Sequence, residues 1–205
     1  MDRDDATLPE RLTELVRARF ASDEASAHLI TTSLGAASAR ERVLAVRVGA
    51  ARHLLGAPAW RRALGDVDAA VRREALVAIA EGDGDAVLDV AVGLLADPDP
   101  LVIEAAAFAI GERRYEAGLA GLIQLARHHD DPRCREAAVA ALGAIGDDHA
   151  LGAVIDALDD KPAVRRRAVV ALANFEGPEV DAALARARED RDWQVRSAVD
   201  RLDAD

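Results

Sequence analysis

Apolar residues along this chain fall at helical spacing in short blocks, and one block returns at a nearly constant interval. The block reads Val-Arg, then alanines, then Leu or Ile. Its copies are Val71-Arg72-Arg73-Glu74-Ala75 to Ile79, Val102-Ile103-Glu104 to Ile110-Gly111, Cys134-Arg135-Glu136 to Leu142-Gly143, and Val164-Arg165-Arg166 to Leu172. A weaker copy begins at Val195-Arg196-Ser197. First positions 71, 102, 134, 164 and 195 are separated by 31, 32, 30 and 31 residues. A period in this range marks a chain built of stacked supersecondary units. Counted from the first apolar residue, positions +4, +7 and +8 are Ala75/Ala78/Ile79, Ala106/Ala109/Ile110, Ala138/Ala141/Leu142 and Ala168/Ala171/Leu172. At about 100° per residue these share a face with position 0, so that face is the predicted core.

Each unit parses into two helices. Ala86 to Leu95 forms a first helix, A, and Leu101 to Gly111 a second, B. Between them Asp97-Pro98-Asp99-Pro100 stops the first and caps the second, because proline cannot continue a helix and aspartate satisfies free N–H groups. The same breaker recurs as Asp66-Val67-Asp68, Asp130-Asp131-Pro132, Asp159-Asp160-Lys161-Pro162 and Asp190-Arg191-Asp192. Gly82, Gly111, Gly146 and Gly177 are read as C-terminal glycines of the B helices. Upstream, Val46-Arg47 with Ala50 and Leu54 fits the template; the step of 25 to Val71 implies a shortened unit carrying Trp60 to Leu64. Residues 8–20 and 24–34 are predicted as two capping helices, with Thr7 and Glu10 forming a capping box. The last unit, from Val195 to Leu202, is partial.

Half of the 205 residues are apolar but only 3% are aromatic, so Ala, Leu, Val and Ile must fill the core. That suits closely packed helices rather than a β-sandwich. The net charge of −11 argues against general affinity for nucleic acid or anionic lipid. The near-exclusive use of Arg over Lys (Lys161 alone) suits a bacterial, GC-rich genome. A single cysteine, Cys134, permits no internal disulfide, and the acidic Met1-Asp2-Arg3-Asp4-Asp5 start has no apolar signal segment. No apolar run is long enough to span a bilayer. The sequence is therefore expected to be cytoplasmic.

Asp97-Pro98-Asp99-Pro100-Leu101-Val102 with Ala105-Ala106-Ala107, and Ala141-Leu142-Gly143-Ala144-Ile145-Gly146-Asp147, resemble HEAT-like repeats of the phycobilisome-lyase type. The resemblance covers roughly residues 40–202. It implies an all-α, right-handed, armadillo-like α-solenoid of five to six helical hairpins. Within one domain, 1–205, residues 1–36 would be the N-terminal cap, 37–189 the repeats and 190–205 a partial C-terminal repeat. It also implies an Asp/Arg ladder, in which Arg72, Arg135, Arg165 and Arg196 pair with an aspartate at the A–B turn of their own or a neighbouring repeat. The acids are Asp66, Asp97, Asp131, Asp160 and Asp190. Ile103 replaces the arginine in one repeat, where the ladder should break. Such repeats occur in bilin lyases, a di-iron hydroxylase of deoxyhypusine, DNA alkylation glycosylases and many adaptors, and the fold does not choose among them.

Candidate chemistry is sparse. His128-His129-Asp130-Asp131-Pro132-Arg133-Cys134 gathers N, O and S ligands, but zinc sites draw on two separated pairs, and here there is one. The cluster reads as a polar turn that caps a helix, with Cys134 in the Val slot and inert. No His-Glu pair stands among His28, His53, His128, His129 and His149, so di-iron chemistry is not expected. Gly82-Asp83-Gly84 and Gly146-Asp147 read as turns rather than phosphate loops, and Trp60 and Trp193 lie too far apart to form a base-stacking groove. No cofactor and no metal are expected.

One feature points to a partner. In arrays of this type the B helices line the concave side, and positions +2 and +6 point away from the core. At +2 stand Arg73, Glu104, Glu136 and Arg166; at +6 stand Val77, Phe108, Ala140 and Val170. An apolar line edged with charge suits an extended peptide or a helix. The expected function is a non-catalytic scaffold binding a protein or peptide there, with neither nucleic acid nor membrane as partner. The alternatives are a cofactor-handling enzyme related to bilin lyases and, behind it, a DNA-binding relative of the glycosylases.

Overall fold

The computed structural model describes residues 7–21, 23–82 and 84–202, and among these all regular structure is helical. The chain divides into two compact units, residues 1–91 and 92–205.

In the first unit α1 (Leu8–Ala18) packs on α2 (Glu24–Ser33) and α3 (Ala39–Ala51), α3 packs beside α5 (Ala69–Glu81), and α4 (Ala57–Leu64) backs α5. Thr7 and Glu10 form the capping box that starts α1. The buried faces follow the 0, +4, +8 spacing of the sequence. Val71, Ala75 and Ile79 of α5 are sealed from solvent, as is Trp60 of α4.

The register of α3 differs from the sequence reading. The residue in the Val71 slot is Glu41, not Val46, and its step of 30 to Val71 is regular. Ala45, Val48 and Gly49 then stand at +4, +7 and +8, all buried. A carboxylate at a core position hid this copy. Glu41 is tolerated there because Arg11 approaches its Oε2 at 3.1 Å and Ser33 Oγ donates to Oε1 at 3.1 Å. No unit is shortened at this point.

At the boundary lies α6 (Leu88–Gly93), a short helix continued on both sides by tight 3-10 turns, Asp85–Val87 and Leu94–Ala96. In the second unit the B helices α7 (Pro100–Glu112), α9 (Pro132–Ile145), α11 (Pro162–Leu172) and α13 (Trp193–Leu202) lie side by side, each against the next. The A helices α8 (Leu119–His128), α10 (Leu151–Asp156) and α12 (Pro178–Arg188) back α9, α11 and α13 respectively. Asp99 and Asp131 cap α7 and α9 by accepting from Leu101 N and Arg133 N, with Pro100 and Pro132 at the first helical position. Val102, Ala106 and Ile110, then Cys134, Ala138 and Leu142, then Val164, Ala168 and Leu172 are fully enclosed. Each enclosed Val, Leu or Ile contributes about 1.5–3 kcal/mol of transfer free energy.

The glycines sort differently from the sequence reading. Gly146 alone ends a B helix in the left-handed region, with φ 69°. Gly82 has extended backbone, and Gly177, φ 119°, precedes α12 rather than ending α11. Gly111 lies inside α7, where a Cβ would meet Ala141 Cα at 2.8 Å; Gly143 stands in the same relation to Ala171 Cα, also 2.8 Å. These two glycines set how closely consecutive B helices approach. Among the described residues no helix is long and apolar enough to cross a membrane.

Candidate interaction surface

The A–B turns are joined by arginines. Arg135 donates through Nε and Nη2 to both oxygens of Asp160, one repeat further on, at 2.6 Å each, and through Nη1 to His129 O in its own turn. Arg165 holds Asp190 in the same two-pronged way at 2.8 Å and donates to Asp160 O. In the first unit Arg42 does this with Asp66, at 2.7 Å for both bonds, and with Ala36 O. Sequence reasoning missed Arg42 because the α3 register was misread by five residues. Arg72 and Arg196 each donate to a turn carbonyl, Asp66 O and Asp190 O, at 2.7 Å. Asp97 is buried and its Oδ1 accepts from Asp99 N.

The two-pronged arginine contacts favour the ionised form of Asp66, Asp160 and Asp190. The Arg135 hydrogen bonds hold Asp160 below the ordinary carboxylate range, and those of Arg165 do the same for Asp190. Burial pulls Asp66 upward, but Arg42 and the Asp68 amide more than offset it. Where Ile103 takes the arginine position it is buried, and Asp131 pairs with Arg133 of its own turn instead. That pairing lowers the Asp131 pKa to about 2.

The His128–Cys134 segment resolves into a turn. His129 Nδ1 accepts from Asp131 N at 3.1 Å, Asp131 caps α9, and Cys134 is enclosed with Sγ 3.7 Å from Pro100 O. Burial, with Asp131 and Glu104 nearby, pushes the thiol up to about 11. Among the described residues no group of three His, Cys, Asp or Glu is placed to hold a metal ion.

The outward face of the B helices in the second unit carries a groove of about 350 Å³. Its floor is Ala137, Ala140, Ala141 and Ala144 of α9; Phe108 of α7 forms one wall, with Glu104, Glu112 and Arg167 at the rim. The Phe108 ring is 46% exposed and Val170 of α11 is 42% exposed. Glu104 and Glu136 are half-buried and face arginines of the next helix, Arg133 at 3.8 Å and Arg167 at 3.6 Å. Arg166 reaches Gln194 Oε1 of α13 at 3.4 Å. Glu104 Oε1 and Arg167 Nε are enclosed without hydrogen-bond partners. The sequence reading did not single out the Ala137, Ala144 and Arg167 positions; small residues on the outward side of α9 were the available signal.

In the first unit Arg73 is exposed and Val77 half-buried on α5. Val77 borders a separate hollow of about 420 Å³, which Arg19, Arg47, His53 and Glu74 also line. Arg47 and Glu74 close one side of it through two 2.7 Å hydrogen bonds.

The family model for HEAT repeats matches residues 57–138 and 119–202, more than half of the chain. The chain is a HEAT-repeat protein. No curated protein matches it by sequence. Among solved structures, this HEAT-repeat chain is similar to the complex of CpcE and CpcF of phycocyanin lyase from Nostoc sp. PCC7120. The TM-score is 0.65 and the identity 21%, over 84% of this chain and 74% of that one. It is also similar to a designed armadillo repeat protein in complex with the peptide (KR)4. There the TM-score is 0.59 and the identity 19%, over 97% of this chain and 99% of that one. A third likeness is to the structure of YIBA_ECOLI, with TM-score 0.61, 17% identity and 97% and 75% coverage. At these identities the likeness is one of fold: all-α HEAT and armadillo-type repeats.

Proposed function

We propose that this HEAT-repeat protein is a non-catalytic cytoplasmic scaffold whose outward B-helix face takes up a partner peptide or helix. The observation that carries the reading is the alanine-floored groove beside Phe108. A large aromatic ring 46% exposed at the edge of an apolar hollow offers a contiguous surface for a partner to cover. Alanines on the floor admit a backbone or a bulky side chain to close approach. The rim charges Glu104, Glu112 and Arg167 supply direction, and outside the rim Glu136, Arg166 and the 42% exposed Val170 belong to the same reading. Arg73 and Val77 of α5 belong to the same reading for the first unit. The designed armadillo protein of similar fold holds a peptide, which supports a peptide or helix as the bound class.

The test is a comparison of partners recovered from the native cell with wild-type protein and with Phe108→Ala. Truncating a central aromatic anchor commonly costs about 2 kcal/mol or more of binding, a loss of about thirtyfold in affinity. Specific partners recovered with wild type should be lost with the variant. Recovery of the same set in the same amount would remove Phe108 as the anchor.

A further inference from the structure

Helix α1 carries a second apolar face, away from the one that packs on α3. Leu15 and Ala18 are buried inward, whereas Val16 of α1, and Phe20 in the turn that directly follows it, are 51% and 81% exposed. Leu12 lies on the same side, half-buried.

The charges beside that face are ordered along the helix. Glu10 stands in the first turn and Arg17 in the last. At about 100° per residue they lie within roughly 20° of each other around the axis, on one flank of the Val16–Phe20 side. Arg17 has no side-chain partner among the described residues, and the Glu10 carboxylate uses only Oε2, on Thr7. Two copies of α1 laid antiparallel about a two-fold axis between residues 13 and 14 would place each Arg17 opposite the other copy's Glu10. The same arrangement sets Val16 within one residue of the other copy's Leu12 and brings Phe20 toward its first turn, near Leu8. A self-complementary patch of this kind is what a two-fold interface requires. Parallel pairing would set Arg17 against Arg17. Residues 1–91 carry 12 basic and 15 acidic side chains, net −3 of the chain's −11, so mutual repulsion is weakest at this end.

We propose that the exposed face of α1 is a homodimer interface, closed by antiparallel pairing with α1 of a second copy through Val16, Phe20 and an Arg17–Glu10 ion pair. The surface is independent of the Phe108 groove, and either assignment stands if the other fails.

Sedimentation equilibrium of the full chain across a concentration series tests this, with far-UV circular dichroism as the control for folding. Wild type should show a reversible monomer–dimer equilibrium. Phe20→Asp and Val16→Asp, both at exposed positions, should keep their helicity and weaken dimerisation by at least about tenfold. Arg17→Gln should weaken it, and Arg17→Glu should weaken it further, because glutamate sets like charges opposite each other while the Thr7–Glu10 cap is left intact. A monomer at all concentrations, or a dimer unmoved by Phe20→Asp, would overturn the proposal. An Arg17→Gln variant that dimerises as well as or better than wild type would overturn the antiparallel arrangement.

Discussion

Cys134 occupies the position that valine holds in neighbouring repeats, and its environment decides its chemistry. Enclosed against Pro100 O, with its pKa pushed up to about 11, it is almost entirely thiol at neutral pH. A thiol-reactive disulfide reagent at about pH 8 should leave the native protein unlabelled and react promptly once the chain is unfolded. Rapid native labelling would contradict the burial. Arg165 shows the opposite case of a charge that needs its partner. Its side chain is 5% exposed and that of Asp190 is 14% exposed. Arg165→Ala should destabilise by about 3 kcal/mol, because Asp190 is left desolvated and unpaired; a urea melt of the variant measures this. Sequence reading assigned Ile103 correctly as lacking an arginine but could not foresee that Arg133 would take over Asp131. That depends on a side chain two residues away folding back on the turn.

Between elements, the decisive quantity is how closely B helices approach. Gly111 against Ala141 and Gly143 against Ala171 leave no room for a methyl group, since the obstructing atoms are the alanine Cα and Cβ, which cannot rotate away. Gly143→Ala should cost about 1–3 kcal/mol by forcing α9 from α11. Gly93 of α6 has helical backbone and nothing within 4 Å of an added Cβ, so Gly93→Ala should stabilise by about 0.5–1 kcal/mol. Thermal melts of the pair give opposite signs if packing, rather than glycine content, governs. The glycines of the sequence looked alike as helix terminators. They differ because one face of a B helix meets another B helix, which local spacing does not reveal. Likewise Glu41 concealed a regular repeat: composition marks a carboxylate as surface, while Arg11 and Ser33 make it acceptable inside.

For the whole molecule, acid is the informative perturbant. Asp66, Asp131, Asp160 and Asp190 all titrate below their usual 3.8 in the folded chain. A depressed carboxylate contributes stability above its unfolded pKa and loses it as pH falls through the folded value. The melting temperature should therefore hold from neutrality to about pH 4 and fall between about pH 4 and pH 2, the lower limit set by Asp131. Asp131→Asn should flatten the last part of that decline.

What the sequence by itself determined is the architecture: a period of about thirty residues, aspartate-proline breaks and alanine-rich faces admit helical hairpins of the HEAT family. These are short-range properties, set by side-chain periodicity and capping within a few turns. Only the tertiary structure decided which outward residues form a hollow. Phe108 stands at its wall because α9 offers alanines opposite it and Arg167 closes the rim from α11, three helices contributing to one surface. The same holds for α1, whose two apolar sides read as one amphipathic helix until packing on α3 shows which of them remains in water.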